Sequence, residues 1–402
     1  MNGPADRRVL ALDGLRGLAI SLVLLHHFLQ RTSAAPPLID RIAFGVAESG
    51  WVGVDLFFVL SGFLITGILY DAKGSPRYFR DFYTRRTLRI FPLYYAALFV
   101  FFVALPLVPH PFATAYVSDS SPDQAWFWTY LTNFRIAERG TWYDHLVPTV
   151  FWSLAIEEQF YLVWPLLVLS FTRRTLMRLC LALFGIAFGV RVVLALLEVS
   201  PVSTFVLTPA RMDCLVLGAL LALIQRDEDA FRRTVRGAVW AAPLLGLILI
   251  ALSWPHTRLD WRDPLTTTIG FSAVAAFSGC VLALSAAAPS GAVIRRLFES
   301  APLRVLGQYS YAMYIFHGPS GTLVKQIYGV EQVPRVFGSE LPFTVVYTVS
   351  ATLVTLLVAW LSWHLFERHF LRHQRGHRGA PARSGRSEDA GIAHDVAAHA
   401  SR

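Results

Sequence analysis

Runs of about 20 mostly apolar residues recur along nearly the whole chain, each long enough to cross the hydrocarbon core of a bilayer as a helix. Nothing else in the sequence restricts the fold so strongly. Hydrocarbon offers no water to backbone N–H and C=O groups, so each span has to satisfy its own, as a helix does. The expected fold is all-α and polytopic, with about ten transmembrane helices. The candidate spans are Val9–Gln30, Trp51–Tyr70, Leu88–Val108, Val147–Ser170, Thr175–Leu197, Ser203–Ile224, Val235–Trp254, Pro264–Ala287, Leu306–Tyr328 and Pro342–Phe366. Composition agrees: 54% of the 402 residues are hydrophobic and 16% charged, against about 25% charged in a soluble protein.

The formal net charge of +9 raises the question of nucleic acid, and the placement of the arginines answers it. One set of connections holds Arg7 and Arg8, Lys73 to Arg89, Arg173 to Arg178, Arg226 to Arg236, and Arg295 to Arg304. The other holds only Arg31, Arg41, Arg135, Arg139, Arg258, Arg262 and Arg335. Such alternation is the positive-inside pattern of a membrane protein; it puts both termini in the cytoplasm and removes the case for nucleic acid. The first apolar stretch lacks a cleavage-site pattern and is expected to be retained. Cys180, Cys214 and Cys280 lie singly in apolar runs, with no disulfide framework or metal-binding spacing. Residues 1–370 read as one transmembrane domain, and 371–402, rich in Arg, His, Ser, Gly and Ala, as a disordered cytoplasmic tail. The long outer connection Pro109–Leu146 carries Trp126, Trp128, Trp142 and Tyr143, suited to a membrane-surface platform or a lid.

A charged side chain at the centre of a span costs about 2.5–3.5 kcal/mol or more unless it meets a partner or a cavity, so each one marks a candidate site. In the first span Asp13 and Arg16 are three residues apart and can pair on one helix face. Arg16 and His27 are eleven apart, which places them within about 20° around the axis and roughly 16 Å apart along it. His26 points about 100° away and reads as structural. In the second span Asp55 enters near the level of His27 and can orient an imidazole or raise its basicity; Ser61 and Gly62 suit close helix packing. Arg85, Arg86 and Arg89 lie at helical spacing in an inner loop running into the third span, a cluster suited to a polyphosphate. The adjacent Glu157 and Glu158 must include one that faces a polar cavity or is neutral. Arg211 and Asp213 lie in the sixth span, with Glu157 a candidate partner for Arg211. The ninth span holds Ser310, Tyr311, Tyr314 and His317, the last a second titratable cavity group.

These strings, in this order, resemble the signature of the acyltransferase-3 family of membrane O-acyltransferases. The matching pieces are Asp13-Gly14-Leu15-Arg16 with His27, Gly53 to Thr66, Arg85 to Tyr95, and Trp152 to Tyr161. Later ones are Arg211-Met212-Asp213 leading to Gly218, Gly307 to His317, and Glu367. The resemblance covers about residues 9–370. It implies a bacterial inner-membrane enzyme that moves an acyl group, usually acetyl, from cytoplasmic acyl-CoA to a hydroxyl of a sugar-containing or other small-molecule acceptor. No permanently bound cofactor and no metal is expected. Arg85, Arg86 and Arg89 would hold the CoA phosphates, and Arg16 would mark the path of the pantetheine arm. His27 would act as general base or as transient acyl carrier, with Asp55 or Glu157 setting its orientation. Asp13, Trp152, Ser153, Arg211, Asp213, Tyr311 and His317 would line the substrate cavity; Arg16, Ser153 and Tyr311 are candidate oxyanion donors. Many relatives carry a C-terminal SGNH-type domain, and this chain is expected to be a stand-alone membrane module. The acceptor would be a surface polysaccharide unit or a glycosylated secondary metabolite. The alternatives are a proton-coupled transporter or exporter of a glycolipid or small molecule, built from the same intramembrane Arg, Glu and His, and a catalytically silent scaffold.

Overall fold

The computed structural model describes residues 4–30, 37–108, 118–144, 149–254, 257–289, 291–329 and 333–371. The expected disordered tail and the 109–117 and 145–148 parts of the long connection lie outside the described residues. Within them the chain is all-α. The main helices are α1 (Pro4–Phe28), α2 (Leu38–Glu48), α3 (Val52–Asp71), α4 (Tyr78–Phe99), α5 (Phe151–Ser170), α6 (Arg173–Leu196), α7 (Thr208–Ile224), α8 (Glu228–Ser253), α9 (Phe271–Ala287), α10 (Ala301–Tyr328) and α11 (Leu341–Ser362). The described residues contain no strand beyond an isolated bridge between Val336 and Ser339.

Eight helical segments among the described residues are long and apolar enough to cross a membrane, and each coincides with an expected span. The remaining two expected spans are helices as well, α5 with 20 residues and α10 with 28. Their polar side chains, Glu157 and Glu158 in α5 and Ser310, Tyr311 and His317 among those in α10, keep them out of that set. At 1.5 Å per residue, 20 residues reach about 30 Å, the thickness of the hydrocarbon core. The outer helices turn apolar faces outward. α8 buries only Ala238 and exposes Trp240, Leu244, Leu247 and Ile250, and α11 exposes Val346, Val349, Leu353 and Leu357. Contiguous apolar surface of that kind suits lipid.

The central helices approach to backbone contact. Apolar side chains gain little from leaving lipid for each other, so membrane helices associate through tight packing and polar bonds. A Cβ on Gly62 of α3 would fall 1.9 Å from the Leu215 carbonyl oxygen of α7, and one on Gly218 would fall 2.0 Å from that of Val59. The packing expected of Gly62 is therefore reciprocal. α1 and α10 meet in the same way at Gly17 and Gly307.

Three boundaries differ from the sequence reading. α4 begins at Tyr78, ten residues ahead of the expected span, so Arg85, Arg86 and Arg89 ride on a helix rather than in a loop. Gly74 and Pro76 end the preceding turn, and nothing between Tyr78 and Phe91 interrupts a helix in which arginine is a good former. α2 fills what reads as an outer connection; its buried Asp40 accepts from the Ser339 hydroxyl at 2.6 Å and the Glu340 N–H at 2.9 Å, tying it to the start of α11. The expected span Ser203–Ile224 breaks at Leu207, leaving a short helix Pro201–Val206 before α7, because Pro209 has no N–H to continue the helical ladder.

Gly62→Leu should therefore force α3 and α7 apart and lower the melting temperature of the purified protein, an overpacking cost of about 1–3 kcal/mol or more. Gly185→Leu in α6 meets nothing within 4 Å and should leave it unchanged or raised; equal losses from the two would contradict the packing.

Candidate active site

Polar side chains inside the bundle surround two cavities along α1. The smaller, about 120 Å³, lies around Arg16 and is lined also by Arg86 and Arg89 of α4, Glu157, Glu158 and Tyr161 of α5, and Ser310 and Tyr311 of α10. The larger, about 520 Å³, lies around His27, three helical turns away. Its walls bring together His26 and Gln30, Glu48 of α2, Trp142, Trp152 of α5, Phe205, and Arg258, Asp260, Trp261 and Arg262 from the connection before α9.

In the smaller cavity Arg16 pairs with Asp13 at 3.1 Å, as their spacing allows. Among the described residues no carboxylate forms an ion pair with Arg86 or Arg89; the Arg86 guanidinium stands over the Tyr161 ring, 5.2 Å from its centroid. Glu157 accepts from the Tyr161 hydroxyl at 3.3 Å, and Tyr161 is also bonded to the Ser61 hydroxyl. One buried oxygen of Glu158 has no hydrogen-bond partner among the described residues. The carboxylates are thus held by hydroxyls or left unpaired, and the guanidiniums stay available to an anion, for which their forked donors are well shaped.

In the larger cavity the two adjacent histidines are held differently. His26 Nδ1 donates to the Glu48 carbonyl oxygen at 2.7 Å. The His27 ring makes no hydrogen bond among the described residues and packs 4.8 Å from the His26 ring and 4.9 Å from that of His317. His317 is fully buried, and its Nδ1 donates to the Tyr314 carbonyl oxygen at 2.7 Å. A carbonyl can only accept, so the proton is assigned to Nδ1 and Nε2 carries the lone pair; that Nε2 has no partner among the described residues. Opposite, Arg258 bridges Glu48 at 2.6 Å and Asp260 at 2.7 Å. Burial opposes the charge on Asp260, but the Arg262 N–H and the Arg258 guanidinium outweigh it and hold its carboxyl below the usual range. Its contribution to stability is complete above the unfolded value of about 3.9 and is lost only as pH falls through the lower folded one. Phe205 closes an aromatic wall, with ring centroids 5.1 Å from Trp152 and 4.9 Å from Trp261.

Several expected site residues lie elsewhere. Asp55 does not orient His27. It bonds Arg211 at 2.8 Å, both side chains fully buried, and accepts from the Cys214 thiol at 3.0 Å. Val54 faces the cavities, and the next residue on a helix points about 100° away. Arg211 therefore pairs with Asp55 and not with Glu157, and Asp213 pairs with Arg191 at 2.8 Å. The Arg211 guanidinium sits 4.9 Å from the Phe205 ring centroid, so this charged layer backs the aromatic wall without reaching the cavity. Arg85 is exposed and lines neither cavity, nor does His317. Trp152 lines the larger cavity, Ser153 and Tyr311 the smaller; the Tyr311 hydroxyl donates to the Ile90 carbonyl at 2.8 Å. The sequence reading missed Glu48, Arg258, Asp260 and Trp261. Its one usable signal was the dense polar run Arg258 to Asp263 between two spans.

The sequence profile of a family described as an acyltransferase domain matches residues 9–364. The chain is 28% identical over 378 residues to the putative peptidoglycan O-acetyltransferase YrhL of Bacillus subtilis, across 90% of this chain and 55% of that protein. It is 26% identical over 372 residues to the peptidoglycan O-acetyltransferase OatA of Listeria monocytogenes, across 89% and 55%. The O-acetyltransferase OatA of Staphylococcus aureus is 25% identical over 387 residues, across 90% and 57%. The chain thus spans about half the length of these curated relatives. No solved structure gives a significant match.

The Asp55–Arg211 pair yields a stability prediction. Removing one partner strands a buried charge and should cost about 3–5 kcal/mol, whereas replacing both by apolar residues of similar volume should cost much less. Asp55→Ala should thus melt well below Asp55→Leu/Arg211→Met in thermal unfolding; the reverse order would contradict a structural role for the pair.

Proposed function

From the premise that the chain belongs to the acyltransferase-3 family, we propose that it is a membrane O-acyltransferase using acyl-CoA, acetyl-CoA in the first instance, to acylate a hydroxyl of a sugar-containing acceptor. One observation carries the reading. A cationic cavity and an aromatic, polar cavity with an unbonded histidine adjoin inside one helix bundle. Arg16, Arg86 and Arg89 suit the phosphates of CoA. The wall of Trp152, Phe205 and Trp261 beside Glu48 and Asp260 suits a ligand with flat apolar faces and many hydroxyls. The names of the relatives, peptidoglycan O-acetyltransferases, favour a sugar polymer or its precursor as acceptor.

The arginine-lined side faces the cytoplasm in this reading, following the charge alternation of the loops. His27 takes the proton of the acceptor hydroxyl. The oxygen attacks the thioester carbonyl, the C–S bond breaks, and the CoA sulfur leaves as a thiolate that takes up a proton. The tetrahedral oxyanion formed on the way needs donors; the hydroxyls of Ser153 and Tyr311 already donate to the Val150 and Ile90 carbonyls, and Arg16 lies three helical turns from His27. His27 gives the proton it took to the leaving thiolate, and the buried His317 ring packs 4.9 Å from it.

The test is CoA release by the purified protein from acetyl-CoA, with a panel of glycan acceptors, wild type beside His27→Ala and His26→Ala. Release should require acceptor. Loss of a general base should lower kcat by about 10²–10⁴-fold in His27→Ala, with a much smaller loss in His26→Ala. Equal losses would remove His27 from its role. Binding of a glycan without CoA release from any acyl-CoA would favour transport.

A further inference from the structure

Two side chains among the described residues border both cavities, Val54 of α3 and Tyr314 of α10. Val54 is a short aliphatic group. Tyr314 reaches across the gap: its hydroxyl lies 2.6 Å from Ser153 Oγ on α5. Ser153 has one proton, directed at the Val150 carbonyl oxygen at 3.2 Å, so the Tyr314 O–H is the donor in this bond. The ring is flanked by Phe57, 6.3 Å between centroids, and by His317 at 5.7 Å. Tyr314 and Ser153 are both buried, 7% and 3% exposed. Tyr314, hydrogen-bonded to Ser153, thus stands with Val54 between the cavity of the arginines and that of His27.

Such a closure answers a chemical problem. A base that activates a sugar hydroxyl also activates water, and the larger cavity is wide enough to hold many water molecules. A thioester standing open to it would be hydrolysed, and excluding water from reactive groups is a recognised function of an active-site wall. We propose that Tyr314, tied to Ser153, is the partition between the donor and acceptor cavities. The acyl group displaces it to reach His27, and it otherwise shields the thioester from water. The inference rests on the acyl-CoA reading above and assigns Tyr314 and Ser153 positions that separate the substrates without taking part in bond making.

The test uses the full chain in detergent with acetyl-CoA and no acceptor, CoA being followed by chromatography. In the uncoupled reaction a water oxygen attacks the carbonyl, the C–S bond breaks, and acetate and CoA thiol are the products. Tyr314→Ala removes the partition, and acceptor-free release should rise about tenfold or more over wild type. Tyr314→Phe keeps the ring and loses the bond, and Ser153→Ala loses the same bond from the other side; both should rise alike, about two- to fivefold. A merely structural role predicts slower release in all three, since damage does not create hydrolysis. Should Tyr314→Ala fail to fold, the two conservative variants decide. If they bind acetyl-CoA as wild type does and hydrolyse it no faster, the partition is overturned. A wild-type protein that binds no acetyl-CoA overturns the donor reading, and the partition with it.

Discussion

A charged side chain inside hydrocarbon has to meet either an opposite charge or a cavity, and this chain uses both solutions in separate layers. Asp55–Arg211 and Asp213–Arg191 are closed pairs, fully buried and backed by the rings of Phe205 and Phe271. They occupy the contacts among α3, α6, α7 and α9, where Gly62 and Gly218 let the backbones touch. Among the described residues, Arg86, Arg89, Glu158 and His27 are left without such closure and line the cavities instead. The first set fixes the frame. The second is held open by that frame, and the desolvation that makes these groups costly also makes them reactive towards a matching ligand.

Much of this was legible in the sequence. Apolar length located the long helices, because a bilayer imposes one thickness on every span, but it missed α2 and the first ten residues of α4. Arg16 and His27, three turns apart on α1, line one cavity each. Periodicity did not reveal which neighbour each charge would choose. Asp55 does not stand at the level of His27: Gly50 packs on Leu22 and His26 and Gly53 on Ala19, so Asp55 lies nearer the depth of Ala19 and turns to Arg211, because neither the register nor the rotation of one helix against the next is recorded in the sequence of either. For the same reason Arg211 and Glu157, plausible partners by chemistry, end in different layers. The polar rim of the larger cavity was hidden because it is assembled from the end of α2 and a loop far along the chain. Glu48 and Arg258, joined at 2.6 Å, are separated by 210 positions.

The two cavities differ in what they can bind. Among the described residues, one presents the Arg86 and Arg89 guanidiniums without carboxylate partners; the other presents aromatic faces, paired charges on its rim, and an imidazole without a hydrogen bond. A reaction between a phosphate-bearing donor and a polyhydroxylated acceptor uses both, and it needs them separated until the groups meet. Tyr314 and Val54 are the side chains among the described residues that border both.

The central claim is that donor and acceptor occupy different cavities of one bundle, and the most direct measurement is an experimental structure of the full chain with CoA bound. The account predicts the CoA phosphates beside Arg16, Arg86 and Arg89, with the pantetheine arm ending against Tyr314. Phosphates found instead beside Arg258 and Arg262 in the larger cavity would contradict it.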